Sequence, residues 1–155
     1  MSAITTIVIA DPASADFIAM LDALWREIQQ RYQFETPNPM QPATYQVAGA
    51  ACWLAMEQDQ PVGSIALLPL SGTTAELDAM YVISAHRGTG TAQQLMETME
   101  DYARKNGFAI LQLRAGAPQP EALRFYEKAG FTPIPAFGKW ASDPTALCFE
   151  KKLHT

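Results

Sequence analysis

Histidine and cysteine are almost missing from this chain. His86, His154, Cys52 and Cys148 are the only ones among 155 residues. No Cys-x-x-Cys spacing and no Cys/His/Asp grouping at ligand distance exists, so the expectation is a protein without a metal. Two cysteines also argue against a secreted disulfide scaffold, and both read as small buried apolar side chains. Positive charge is scarce as well. Eleven Lys and Arg stand against sixteen Asp and Glu, a formal net charge of −5, with a sequence pI of about 4.9. A protein that grips a nucleic-acid backbone needs a basic stripe, so nucleic acid is excluded as the expected partner. A small anion site resting on backbone N–H groups is still allowed. No run reaches the ~18 apolar residues of a membrane span. The N-terminus also lacks the charged and apolar regions of a signal peptide. The expectation is therefore no membrane partner and a cytoplasmic location.

What is there describes a folded protein. Hydrophobic residues make up 48% and charged residues 17%, enough for one domain over residues 1–155 with a proper core. Ile4 to Ala10 is β-branched and apolar and reads as a first strand. Asp11-Pro12 then offers a cap and a first-turn proline. Phe17, Leu21, Leu24, Trp25, Ile28 and Tyr32 share one face of a helix of about twenty residues, with Trp25 and Tyr32 expected in the core. Phe34 to Ala43 carries Pro37, Pro39 and Pro42. It reads as a loop, followed by a short helix around Ala43 to Val47. Strands at Ala51 to Gln58 and Val62 to Leu70 form a hairpin about Asp59-Gln60-Pro61. A turn at Ser71 to Thr74 leads to a fourth strand, Ala75 to Ile83.

A helix follows from Ala92 with Leu95, Met96, Met99 and Ala103 as its core stripe. Glu100 to Arg104 and Asp101 to Lys105 are i,i+4 pairs assigned to the wet face. Lys105-Asn106-Gly107 closes it. Phe108 to Leu113 is read as a fifth strand parallel to the fourth, because a helix crosses between them. Gln119-Pro120 opens the last helix, and Gly130 ends it with Phe131 placed for a Schellman contact. Thr132 to Pro135 and Ala146 to Leu153 are the remaining strands, with Phe137-Gly138-Lys139-Trp140 as a loop.

One stretch stands out: Arg87-Gly88-Thr89-Gly90-Thr91-Ala92, between the fourth strand and the amphipathic helix. Glycines at 88 and 90 allow a tight turn and close approach of a ligand. The first N–H groups of the helix have no intrahelical partner, and its dipole makes that end positive. Together these suit a phosphate. A Walker A loop is excluded, because no Gly-Lys-Ser/Thr run exists. The dinucleotide fingerprint fails too. It needs a third glycine where Gln93 stands and an acid about 20 residues on, where Ile110 stands. A glycine turn that merely starts a helix is the other reading.

Arg-x-x-Gly-x-Ala at 87–92 resembles motif A of the GNAT superfamily of N-acetyltransferases. Downstream, Gln119-Pro120-Glu121-Ala122-Leu123-Arg124-Phe125-Tyr126-Glu127-Lys128-Ala129-Gly130-Phe131 is similar to that family's second signature. The resemblance runs from about Ala75 to Phe131, and the order of elements extends it over the chain. It implies an α/β mixed sheet of about seven strands with helices on both faces. It also implies an enzyme that moves an acetyl group from acetyl-CoA to a primary amine of a small molecule, by direct attack in a ternary complex. A non-catalytic acyl-CoA binder on the same fold, or an enzyme acting on a protein N-terminus or lysine, stays open beside it. A homodimer is compatible with the family.

The resemblance distributes roles. The donor's pyrophosphate falls to the N–H groups of Gly88, Thr89, Gly90, Thr91, Ala92 and Gln93, with Arg87 adding charge. The pantetheine arm falls to backbone groups near Met80, Tyr81 and Val82, like an added strand. Gln119 stands where the family often has an asparagine that bonds the cofactor, or it caps the helix. Tyr126 matches the tyrosine credited with protonating the leaving thiolate; a phenol stays protonated at neutral pH. Its other reading is a core tyrosine beside Phe125. Glu76 is the candidate base, unless a water chain takes the proton or it is simply a solvated carboxylate at a strand's start. Period-two alternation sets Glu76, Asp78 and Met80 on one face unless the strand bulges. Trp25, Phe137 and Trp140 are the weaker candidates for the acceptor side.

Overall fold

The structure is a computed structural model that describes residues 5–116, 120–142 and 146–153. Its elements are β1 (Thr6–Ile9), α1 (Ala15–Tyr32), β2 (Ala51–Glu57), β3 (Gln60–Ser71), β4 (Thr74–Val82), α2 (Thr91–Lys105), β5 (Ile110–Gly116), α3 (Pro120–Lys128), β6 (Thr132–Ile134) and β7 (Ala146–Lys152), with short 3-10 turns at Pro42–Tyr45, Ser84–His86 and Gly138–Trp140. The strands form one seven-stranded sheet in the order β1-β2-β3-β4-β5-β7-β6. β1 with β2, β2 with β3, β5 with β7 and β6 with β7 run antiparallel. β4 and β5 run parallel, from Thr74 opposite Ile110 to Glu76 opposite Gln112. This is the mixed sheet expected. The parallel pair follows from the helix that joins its two strands.

The chain divides into two compact units, residues 1–69 with 77–102 and residues 70–76 with 103–155. In the first unit, neighbouring residues of β2 serve opposite faces, as a strand's period of two requires. Cys52 and Leu54 join Phe17, Met20 and Leu21 of α1 in one buried cluster with Tyr45, Ala66 and Leu68. Trp53, between them, meets Tyr102 of α2 edge to face at 5.1 Å. So α1 and α2 cover the two faces. The predicted stripe of α2 is buried throughout: Leu95, Met96, Met99 and Ala103 are all 3% exposed or less. Glu100 is buried as well, not on the wet face. It lies one turn beyond Met96, at the edge of the buried stripe.

Local chemistry moved several boundaries. Helix α1 is capped by Ser14, whose Oγ accepts from Phe17 N at 3.3 Å, and not by Asp11-Pro12. Asp11 Oδ1 instead accepts from Ala13 N at 2.9 Å, building a turn ahead of the cap. The β2–β3 turn is Gln58-Asp59, both at positive φ (50° and 64°), one residue earlier than expected. Pro61 thus lies inside β3, opposite Met56. A register shift between Ala55 and Met56 accommodates a residue that has no N–H to give. β5 begins at Ile110, because Phe108 N still bonds back to Ala103 O at 2.9 Å across the left-handed Gly107. In the second unit α3 closes as a Schellman turn. Gly130 has φ +101°, and Phe131 N bonds Tyr126 O at 3.0 Å.

Trp25 is half-buried rather than core. Its indole N–H donates to Thr36 O at 2.7 Å, and its ring meets Phe34 at 5.4 Å. Gln29 Nε2 donates to the same carbonyl at 2.9 Å, and Asn38 Nδ2 reaches Leu21 O at 3.3 Å. The proline-bearing loop is therefore fastened along α1 by side chains of both. Tyr32 is likewise half-buried.

Gly63 on β3 is required by space. A Cβ there would lie 2.9 Å from Tyr81 O and 3.1 Å from Leu95 Cδ1. Tyr81 O belongs to backbone and cannot swing aside as a side chain can. Gly63→Ala is expected to destabilise the fold by about 1–3 kcal/mol, the usual cost of overpacking. Urea unfolding measures it, and an unchanged midpoint would mean that β3 and β4 separate at no cost here.

Candidate active site

β4 carries the donor-side candidates, and it is not a regular strand. Ala79 sits in its middle at φ +52°, a left-handed conformation that alanine rarely adopts. Three groups hold it there. Asp78 Oδ1 accepts from Ala79 N at 2.8 Å. The fully buried Ser64 donates from Oγ to Ala79 O at 2.7 Å. Tyr45 Oη donates to Asp78 Oδ2 at 3.3 Å. A left-handed residue of this kind interrupts the period-two alternation of the strand at Ala79. Ala75, Glu76 and Leu77 are buried in succession.

After β4 the chain makes a 3-10 turn and enters the glycine loop. Gly88 and Gly90 have φ +79° and +89°, and a Cβ on either would meet no atom within 4 Å. Packing does not demand glycine at these two positions; the backbone conformation does, and the space beside it is open. Gly90 O accepts the first bond of α2, from Gln94 N at 3.0 Å. The N–H groups of Thr91, Ala92 and Gln93 are therefore the first-turn donors of that helix. No acidic residue lies in that turn. Thr89 Oγ1 donates to His86 O at 2.6 Å and lies 3.0 Å from Thr91 Oγ1, tying the loop to itself. Gln93 Nε2 points along the helix to Glu97 Oε1 at 3.0 Å.

Arg87 does not stand bare beside the loop. Its Nη2 donates to Glu27 Oε1 of α1 at 2.6 Å and its Nε to Val82 O at 2.9 Å. The carbonyl of Val82 thus already accepts one hydrogen bond, from Arg87. Burial raises the pKa of Tyr81, helped by the charge of Glu27, while Arg87 and Arg26 act the other way. His86 Nε2 lies 2.5 Å from Glu57 Oε2, and its Nδ1 is buried without a hydrogen-bond partner. Sequence reading missed both Glu27 and Glu57. They lie 60 and 29 positions from their partners, and no local signal links such residues.

In the second unit Glu76 is buried at 5% exposure, so it is not a solvated carboxylate at a strand's start. Tyr126 of α3 is buried at 8%, with Phe125 and Phe131 ring centroids at 5.6 and 5.9 Å. Phe137 and Trp140 are half-buried. Trp140 carries Arg114 Cζ at 4.6 Å and Lys139 Nζ at 5.0 Å from its ring centroid, a cation–aromatic cluster. Gln119 lies outside the described residues. Among the described residues no three His, Cys, Asp or Glu side chains come together as a metal site, and no helix is long and apolar enough to cross a membrane.

A strand, a left-handed glycine loop and an acid-free helix start, within this mixed sheet, define the class. The Acetyltransferase (GNAT) family profile matches residues 17–131. The chain is 28% identical to the IAA acetyltransferase of Azospirillum brasilense, over 96% of this chain and 97% of that one. A GNAT-family acetyltransferase from Staphylococcus aureus superposes with a TM-score of 0.81 at 19% identity, covering 97% of this chain and all of the other. An aminoglycoside 6'-N-acetyltransferase complexed with coenzyme A gives 0.73 at 17% identity over 97% of this chain and 98% of that one. The chain belongs to the GNAT family of acetyltransferases and is an acyltransferase.

Both cysteines are buried and unpaired with each other. Cys52 donates from Sγ to Ala10 O at 3.2 Å, and burial, with the charge of Asp11 second, pushes its thiol up to about 12. Cys148 is 3% exposed. Folded protein at pH 8 is expected to give no reaction with a thiol reagent, and urea-unfolded protein both thiols. Rapid labelling of the native state would place a cysteine at the surface. Unfolded, Cys52 ionises near 9.0, its ordinary value. Its contribution to stability is therefore complete below that pH and is lost as pH rises towards about 12.

Proposed function

We propose that this acyltransferase moves the acetyl group of acetyl-CoA to a primary amine of a small molecule, by direct attack within a ternary complex. The observation that carries the donor half is the pair of left-handed glycines with open space where side chains would stand, leading into a helix start without an acid. The backbone N–H groups from Gly88 to Gln93 would receive the pyrophosphate, and Arg87 would flank it. Backbone of Met80, Tyr81 and Val82 would bond the amides of the pantetheine arm, at a strand already irregular at Ala79. Held in place, the two substrates react as one, which supplies much of the acceleration.

In that reaction the amine nitrogen attacks the thioester carbonyl, the carbon–sulfur bond breaks, and the thiolate leaves. Tyr126 would protonate that thiolate, and its burial among aromatic rings suits a group that donates one proton. Glu76, or water beside it, would take the proton of the amine. Proton handling of this kind is worth ~10²–10⁴-fold. Trp25 and the Phe137–Trp140 turn would line the acceptor side. A cytoplasmic, metal-independent enzyme on a single domain belongs to the same reading, as does a homodimer.

Two variants test the halves separately. Gly90→Glu is expected to abolish acetyl-CoA binding in titration calorimetry, because a side chain is strained at φ +89° and its charge repels the phosphates. Retained affinity would remove the loop from the donor site. Tyr126→Phe is expected to lower turnover by ~10²-fold or more, the lower range for proton transfer, at nearly constant acetyl-CoA affinity. CoA thiol release with a panel of amines reads this. Equal turnover would leave Tyr126 a packing residue, while saturable binding with no release from any amine would favour a non-catalytic acyl-CoA binder.

A further inference from the structure

Arg87 is fixed by two bonds that use one edge of its guanidinium, Nε–H to Val82 O and one N–H of Nη2 to Glu27. The ring of Tyr81 lies 5.7 Å away from Cζ. A guanidinium has five N–H donors in a rigid fork and no acceptor. Three donors therefore remain, both of those on Nη1 and the second on Nη2, all in a plane that the two bonds define. Orientation and charge part company at this point. Glu27 helps hold the fork still, yet its carboxylate, 2.6 Å from Nη2, offsets most of the positive field that the fork would cast on an anion. Arg26, the other cation acting on Tyr81, leaves some positive charge in the neighbourhood. The side chains of Arg87 and Glu27 are 40% and 34% exposed, so the pair contributes little to the stability of the fold. Its placement, on α1 and directly ahead of the glycine loop, asks for a functional reason.

We infer that Glu27 is a positioning residue that also limits the strength of donor binding: it aims the free edge of Arg87 at a diphosphate while cancelling its charge. Acetyl-CoA is then held mainly by backbone N–H groups, and CoA leaves readily after transfer. This rests on the reading of residues 87–93 as the diphosphate cradle. The two actions of Glu27 separate chemically. Glu27→Gln keeps the acceptor for Nη2 and deletes the charge. Glu27→Ala deletes both.

Titration calorimetry with acetyl-CoA and with CoA tests it on the full chain. Glu27→Gln is expected to bind both about two- to fivefold more tightly than the native chain at low salt. The gain should vanish near ~1 M salt, where screening acts over about 3 Å. CoA dissociation should slow by the same factor. Glu27→Ala is expected to gain less than Glu27→Gln, because the fork is no longer aimed. In an Arg87→Met background that gap between the Gln and Ala variants should close. Glu27→Gln binding no more tightly than the native chain, or a gap that persists without Arg87, overturns the inference while leaving the donor loop in place. No binding of acetyl-CoA by the native chain overturns both.

Discussion

Three hydrogen bonds around Ala79 hold the middle of β4, the strand proposed to carry the donor arm. A left-handed alanine within a strand costs of the order of 1–3 kcal/mol and persists only where its surroundings over-determine it. Here they do. Ser64 answers the carbonyl, Asp78 answers the N–H, and Tyr45 from the Pro42–Tyr45 turn holds Asp78. Each partner comes from a different stretch, so the kink is held by β3, by β4 itself and by the chain after the proline-rich loop. Gly63 completes the arrangement by letting β3 approach Tyr81 more closely than any side chain would permit. A strand forced out of regular alternation can present backbone that a flat ladder would consume. That is what an amide-bearing donor arm requires.

Much of this was legible before any coordinates. The α2 stripe, the crossover that makes β4 and β5 parallel, and the Schellman close at Gly130 each follow from residue spacing within one turn or one connection. These interactions are local. The glycine loop was legible for the same reason, because positive φ is written into the sequence as glycine. What could not be read was nonlocal or strained. Ala79 adopts a glycine-like φ without being glycine, so nothing in the sequence marks it. Asp11-Pro12 looked like a cap, but the chain turned once more on Asp11 before Ser14 took that role. Pro61 suggests a turn one residue later than the Gln58-Asp59 turn, whereas the register shift at Ala55 and Met56 keeps it inside a strand. The charge of Glu100 points to solvent, yet its position one turn past Met96 sets it at the edge of the buried stripe.

The overall acidity bears on how such a protein can hold an anionic co-substrate at all. At a net charge of −5, the long-range field opposes an approaching phosphate, and salt weakens that opposition. The positive elements must therefore act at short range. Backbone N–H groups at a helix start do so without adding formal charge, and they need no reorganisation when the ligand arrives. An arginine adds reach, but beside a carboxylate it adds direction more than attraction. On the proposed reading such a site binds through geometry and lets go easily. For an enzyme whose spent donor differs from its fresh one by a single acetyl group, weak reliance on charge is an advantage. Tight electrostatic capture of the diphosphate would hold CoA and acetyl-CoA alike, and slow release of CoA would delay the next turnover.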